Sequence, residues 1–234
     1  MNILIVDDDD IARISLSNIL HGAGAHVTQA VDGQDAWEQL ACGLRVDAVC
    51  CDMMMPRLDG IGLLKRTRGH IVLKDLPFVF ISSAANPRTV DVATASGAAG
   101  YILKPFLAVQ TRVTMQRVVR DRRAACAEHF LGTTRRLAVT PERLEERLRE
   151  LATRANNEVG SIFAHPGGVY PPAMLCHLHA GSRTLGLWRA AACLKAAMEP
   201  TATMMERLLA VAEVGHLVDD QIAEMHVLAQ ACAA

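Results

Sequence analysis

Four short apolar runs in the first half of the chain each end on polar side chains that could do chemistry. Ile3-Leu4-Ile5-Val6 runs into Asp7 and Asp8, and Val46 to Cys51, interrupted only by Asp47, runs into Asp52. Phe78-Val79-Phe80-Ile81 runs into Ser82, and Tyr101-Ile102-Leu103 into Lys104. Such runs suit strands buried on both faces of a parallel sheet, and open α/β sheets bind ligands beyond the carboxyl ends of their strands. If the four are parallel strands of one sheet, three carboxylates, a hydroxyl and an ammonium meet at one edge. Crowded carboxylates repel unless a cation holds them, and an oxygen-rich site with room for water suits Mg²⁺. A hydroxyl and an ammonium suit phosphoryl oxygens, and an Asp can act as nucleophile to give an aspartyl phosphate. The pattern predicts a site that moves phosphoryl groups.

The same residues belong to longer motifs in a fixed order. These are Ile3 to Asp8, Asp52 with Met55-Pro56 and Asp59-Gly60, Ser82-Ser83-Ala84, and Gly100-Tyr101-Ile102-Leu103-Lys104-Pro105-Phe106. In them the first half resembles the receiver domains of two-component response regulators, of which the chemotaxis receiver protein is the simplest. The resemblance implies a flavodoxin-like, doubly wound, five-stranded parallel sheet with Asp52 as phosphoacceptor. It implies Mg²⁺ held by Asp8, Asp52 and the backbone carbonyl of Met54, with Asp7 acting mainly through water. Ser82 and Lys104 would bind the phosphoryl oxygens, Ser82 and Tyr101 would move as a switch, and the Lys104-Pro105 bond would be cis. Met54 and Ala84 stand where the family places side chains that influence the attacking water, and neither can orient one, which implies slow dephosphorylation. The implied phosphodonor is a histidine kinase or a phosphotransfer protein, and the implied target a downstream signalling protein. No enzymatic activity is expected beyond the receiver's own phosphorylation and dephosphorylation.

A chain of 234 residues suits two modest domains, read here as 1–120 and 121–234. With 51% hydrophobic residues and 24 Lys+Arg against 25 Asp+Glu, the composition is that of an ordinary globular protein and argues against disorder. Seven irregularly spaced Cys do not form a disulfide framework, and no basic segment leads into a signal-like apolar stretch. No apolar run approaches the roughly 18 residues that span a bilayer. The expectation is a cytoplasmic protein without membrane contact. Adjacent Cys50 and Cys51 would face opposite sides of their strand, as core residues.

Between the motifs, periodicity predicts a helix from Asp10 to Leu20 stopped by Gly22 and Gly24, and a strand near Ala25 to Ala30. An Asp32-Gly33 turn leads into a helix with Ala36, Trp37 and Leu40. A further helix carries Ile61, Leu63 and Leu64, and Asn86-Pro87 opens an Ala-rich one. From Leu107 onward the pattern is helical throughout. Residues 112–154 hold 11 Arg against 6 Asp/Glu, but only Phe130 adds an aromatic ring and no helix-turn-helix pattern occurs. Solvated helices, not a nucleic-acid interface, are expected there. Thr140-Pro141 reads as N-cap and first helical residue of a helix reaching Phe163, closed by His165-Pro166-Gly167-Gly168. Pro171-Pro172 opens another, and Glu199-Pro200-Thr201 separates it from a last long helix ending near Cys232. With the helix after Leu107 this makes about four, for which a four-helix bundle is the economical packing.

Within the second half, Cys176-His177-Leu178-His179-Ala180-Gly181 resembles a histidine phosphotransfer domain, although Ala180 replaces the family's usual Lys. His177 and Gly181 share a helix face, and the missing side chain would leave room for a partner to approach the imidazole. Met174, Leu175, Leu178 and Leu185 define the buried face, flanked by His177 and His179 about 200° apart at 100° per residue. Two readings follow. In one, His177 is a second phosphoacceptor in a phosphorelay; in the other, the helical half is a noncatalytic interaction or homodimerisation module.

Overall fold

The computed structural model describes residues 1–83, 95–164 and 172–233. Its first half alternates strand and helix: β1 (Asn2–Val6), α1 (Asp10–His21), β2 (His26–Ala30), α2 (Gly33–Ala41), β3 (Ala48–Asp52), α3 (Gly60–Arg68) and β4 (Phe78–Ser82). β5 (Gly100–Leu103) and the long α4 (Ala108–Cys126) follow. All neighbouring strands pair in parallel, in the order β2-β1-β3-β4-β5. This is the flavodoxin-like order.

Period-two alternation divides the apolar strand residues between the two sides of the sheet. Leu4, Val6, Val49, Cys51, Phe78 and Phe80 pack with Ala36 and Leu40 of α2 and Leu63 and Leu64 of α3. Ile3, Ile5, Cys50, Val79 and Ile81 pack instead with Leu16 and Leu20 of α1 and Met115, Val118 and Val119 of α4. Cys50 and Cys51 thus lie on opposite faces in the core, as the alternation requires. Three Asp residues open the covering helices: Asp9, Asp32 and Asp59 accept backbone N–H groups at the starts of α1, α2 and α3. Gly22 caps α1, and Gly24 takes the positive φ that lets the chain turn back into β2. The expected Asn86-Pro87 helix and Ala84 lie outside the described residues.

The chain divides into two units, Met1–Arg122 and Arg123–Ala234, with the division inside α4. The reason is local: Val118 and Val119 still fill the sheet's core, and the Arg122 guanidinium donates to the Val46 carbonyl.

The second unit is helical: α5 (Phe130–Leu137), α6 (Pro141–Ala164), α7 (Pro172–Thr184), α8 (Trp188–Ala197) and α9 (Met204–Ala233). α9 packs along α6 and α8, and α7 packs against α8 and α6. Leu144, Leu148, Leu175, Leu187, Leu194 and Val211 are fully buried. Among the described residues α6, α7, α8 and α9 pack together, but they are not the four helices expected. The helix after Leu107 belongs largely to the receiver, and the segment after Pro172 is two helices. Gly186 at φ 76° breaks it, with Leu185 and Leu187 buried at the corner. Thr140 caps α6 through the Arg143 N–H at 3.3 Å, as its Thr-Pro pair predicts. His165-Pro166-Gly167-Gly168 and Pro171 lie outside the described residues, as does the Met174 side chain.

The Arg-rich stretch meets its own acids on α6. Arg143 pairs with Glu146, Arg147 with Glu150 at 3.1 Å and Arg149 with half-buried Glu145 at 2.6 Å, all pairs three or four residues apart. This is the solvated-helix arrangement. Among the described residues no helix is long and apolar enough to cross a membrane.

Candidate phosphoacceptor site

The parallel register brings the carboxyl ends of β1, β3, β4 and β5 to one edge, and with them Asp7, Asp8, Asp52, Ser82 and Lys104. Asp52 is the last residue of β3, paired with Ile81, one residue before Ser82 ends β4. The Lys104 ammonium stands between two carboxylates. It hydrogen-bonds to Asp52 Oδ2 at 2.7 Å and lies 2.8 Å from Asp7 Oδ2. The Met54 backbone N–H donates to Asp52 Oδ1 at 3.0 Å, so both oxygens of this carboxylate are held. The Lys104 N–H donates to the Ser82 carbonyl at 2.8 Å, and the Lys104-Pro105 bond is cis, as the resemblance implies.

Asp7 is almost wholly buried, whereas Asp8 is exposed. Asp7 Oδ1 accepts the Asp9 N–H at 3.0 Å; Oδ2, though close to Lys104, has no hydrogen bond of proper geometry. Arg13 on α1, itself buried, donates to the Asp7 backbone carbonyl at 2.6 Å and pairs with Asp10. Burial raises the Asp7 pKa above the ordinary carboxylate value despite the nearby ammonium. Burial would lower that of Lys104, but the hydrogen bonds and charges of Asp52 and Asp7 carry it upward on balance.

These shifts have opposite consequences for stability. An acid whose folded pKa is raised binds its proton more tightly when folded, so the contribution of Asp7 weakens as pH rises above about 3.8. At neutral pH without divalent metal, Asp7→Asn is therefore expected to raise the denaturation midpoint by a few degrees. Thermal melts should show the gain shrinking as Mg²⁺ is added, because only the carboxylate gains from the cation. Equal melting of both proteins in metal-free buffer would contradict the electrostatic account.

The acidic edge fits a hard divalent cation. It offers carboxylate oxygens from Asp7, Asp8 and Asp52, and one of them is buried without a hydrogen-bond donor of its own. Among the described residues no group of three or more His, Cys, Asp or Glu side chains lies close enough together to hold a metal ion by itself, so water would have to complete the coordination. An open, partly hydrated site is what Mg²⁺ prefers. Tyr101 is half-buried on β5, paired with Phe80 and packed against the α2–α3 side of the core.

In the helical unit the expected second site is only partly assembled. His177 is exposed on α7, and His179 is half-buried with its pKa lowered by burial and by the cations Arg183 and Lys195. Leu175, Leu178 and Leu185 are buried as expected. Gly181 is half-buried and lines a groove with Leu144, Leu151 and Leu185. A Cβ there would stand 2.7 Å from Leu151 Cδ1, so its missing side chain makes room for that leucine of α6. Spacing alone identifies the face Gly181 occupies but not the helix that covers it. The Gly181→Leu exchange, harmless to folding in an open groove, would here push against buried Leu151.

Sequence reasoning did not single out Arg13, nor the ion pair of Arg57 with buried Asp32. Nor did it find the buried pair of Arg189 on α8 with Glu213 on α9, at 2.5 Å. The Thr203-x-x-Glu206 capping box, with Thr203 N–H to Glu206 Oε2 at 2.8 Å and Glu206 N–H to Thr203 Oγ1 at 3.2 Å, was readable from spacing.

The first half of the chain is similar in sequence to known proteins. The response regulator receiver domain model matches residues 3–116. Chemotaxis protein CheY-3 of Vibrio cholerae is 38% identical over 119 residues, covering 50% of this chain and 91% of that protein. The response regulator-like protein PRR73 of rice is 34% identical over 107 residues, but these make up only 14% of its length. A high-resolution structure of the chemotaxis response regulator CheY4 of Vibrio cholerae is 32% identical over 50% of this chain and 97% of that chain, with a TM-score of 0.47. The chain belongs to the two-component response regulator receiver family, through its first unit.

Proposed function

We propose that this protein is a phosphorylation-responsive signalling protein in which Asp52 accepts a phosphoryl group and the helical unit serves as an interaction module. The observation that carries the reading is the Lys104 ammonium 2.7 Å from Asp52 and 2.8 Å from Asp7 at the carboxyl edge of the sheet. The phosphodonor is a histidine kinase or phosphotransfer protein, the partners with which receiver domains interact.

In the reaction an Asp52 carboxylate oxygen attacks phosphorus, an O–P bond forms, and the donor's N–P or O–P bond breaks with its electron pair leaving on the donor. Lys104 is placed to turn from Asp52 Oδ2 to a phosphoryl oxygen, with Ser82 at the adjacent strand end. The Met54 N–H keeps the other carboxylate oxygen fixed, which orients the nucleophile. Asp7, Asp8, Asp52 and the Met54 carbonyl would hold Mg²⁺, which when bound supplies neutralisation of the carboxylates and of the incoming phosphoryl charge. Met54, its side chain about four-fifths exposed, offers the attacking water no hydrogen bond, in keeping with slow dephosphorylation.

A second reading, transfer onward to His177, is favoured by that imidazole's exposure. The groove beside Gly181, lined by Leu137, Val139, Leu144, Leu151 and Leu185, supports the interaction module instead. One experiment addresses both. The full chain is incubated with labelled acetyl phosphate and Mg²⁺, and the label is tested for hydroxylamine sensitivity and for acid lability. The expected product is an acyl phosphate alone, dependent on Mg²⁺. An acid-labile, hydroxylamine-resistant label lost in His177→Gln would establish the relay, and absence of any label would overturn the phosphoacceptor reading.

A further inference from the structure

The loop from β3 to α3 is tied to Asp52 at one end and to the neighbouring β2–α2 turn at the other. Its Met54 N–H holds Asp52 Oδ1, and farther along Arg57 adopts φ 61°, in the left-handed region that non-glycine residues seldom enter. Such a conformation persists where the surroundings fix it. Here they do so through Asp32. The Arg57 guanidinium donates to Asp32 Oδ2, while Asp32 Oδ1 is engaged by the Gln34 and Asp35 amides at 2.9 and 3.0 Å. One carboxylate oxygen thus caps α2 and the other holds the loop.

The two segments also touch through their backbones. The Gly33 N–H donates to the Leu58 carbonyl at 3.1 Å, and a Cβ on Gly33 would lie 2.3 Å from that oxygen. Only a glycine permits this approach. Asp32 is 3% exposed and the Arg57 side chain 55%, so the pair has one buried member and a solvent-facing one.

We propose that Arg57, acting through Asp32, is a positioning residue for phosphorylation: the pair clamps the β3–α3 loop so that the Met54 amide stays on Asp52. The inference rests on the reading of Asp52 as phosphoacceptor, although the clamp itself is a property of the fold. Three single variants separate it from a merely structural role. Arg57→Ala removes the guanidinium, Arg57→Lys retains a cation, and Asp32→Asn retains a good helix cap while removing the charge.

Amide exchange at Met54 and Gly33 is measured in metal-free protein, together with melting temperature and the rate of labelling by acetyl phosphate. In Arg57→Ala and Asp32→Asn the two amides are expected to exchange about tenfold faster, a size typical of coupled neighbours. Maximal labelling should fall by a similar factor, with the half-saturating acetyl phosphate concentration and the melting temperature nearly unchanged. Arg57→Lys should recover most of the loss, and the double variant should be no worse than either single one. Unchanged exchange at Met54, or exchange that rises equally through every strand, would overturn the clamp. If wild-type protein takes no label, the phosphoacceptor reading fails by itself, and the exchange comparison still decides whether the clamp exists.

Discussion

Asp52→Asn is expected to leave the first unit folded and to abolish acyl phosphate formation, a loss on the order of a thousandfold or more, as when a nucleophile is removed. The other carboxylates near the sheet edge have different employment. Asp7 is buried with Oδ1 on the Asp9 amide, and Asp59 Oδ1 receives the Gly62 N–H at 2.6 Å to start α3. Asp8 is exposed but does not end a strand between Lys104 and a backbone donor. Only Asp52 combines access with a fixed orientation and an adjacent ammonium. The Asn oxygen can keep the Met54 N–H bond, so the fold should survive, while the amide nitrogen is not a nucleophile. Intact-mass measurement after incubation with acetyl phosphate and Mg²⁺ decides the matter. Undiminished labelling of the variant would move the site elsewhere.

The grouping of Asp52, Ser82 and Lys104 at one sheet edge was legible because each closes an apolar run, and parallel register then brings strand ends together. Nothing about Asp52, Ser82 or Lys104 required knowledge of loops. The features that escaped depend on contacts between distant segments. Arg57 meets Asp32 only because the loop passes through a left-handed residue, which no local pattern announces. Gly181 is the complementary case: its spacing places it on the His177 face of the helix, but that spacing could not announce Leu151, thirty residues earlier, beside it. The break at Leu185-Gly186-Leu187 was visible as a glycine, but two flanking leucines made the segment look like continuous helix.

The second large effect is expected in the helical unit, at Arg189 and Glu213. Both side chains are 5% exposed, and the guanidinium also reaches Cys126 Sγ at 3.8 Å. Burial would lower the Arg189 pKa, but the opposing Glu213 charge raises it on balance. Removing one member of such a pair leaves an uncompensated buried charge, which typically costs about 3–5 kcal/mol. Glu213→Ala should therefore destabilise the unit by about that amount in urea denaturation. Trp188 is the second unit's only Trp, so its fluorescence in a Trp37→Phe background reports on that unit alone. Replacing both partners with apolar residues, Arg189→Met with Glu213→Leu, should recover most of the loss. A double variant as unstable as Glu213→Ala would mean that the pair contributes net stability and not only specificity in joining α8 to α9.

The distribution of thiols gives the molecule a set of addresses. Cys50 and Cys51 are sealed in the sheet's core, where burial pushes the Cys50 pKa up to about 12 and that of Cys51 well above its ordinary value. Cys126 and Cys193 are buried as well, whereas Cys42 and Cys176 are exposed, one in each unit. Reaction with a thiol reagent proceeds through the thiolate and needs access, so the core cysteines are protected on both counts. With Cys232 replaced by Ser, a fluorophore pair can therefore be attached to the two units at residues the protein already has. Energy transfer between Cys42 and Cys176 then becomes a ruler for whatever Asp52 chemistry does to the arrangement of the halves, read without disturbing a single core side chain.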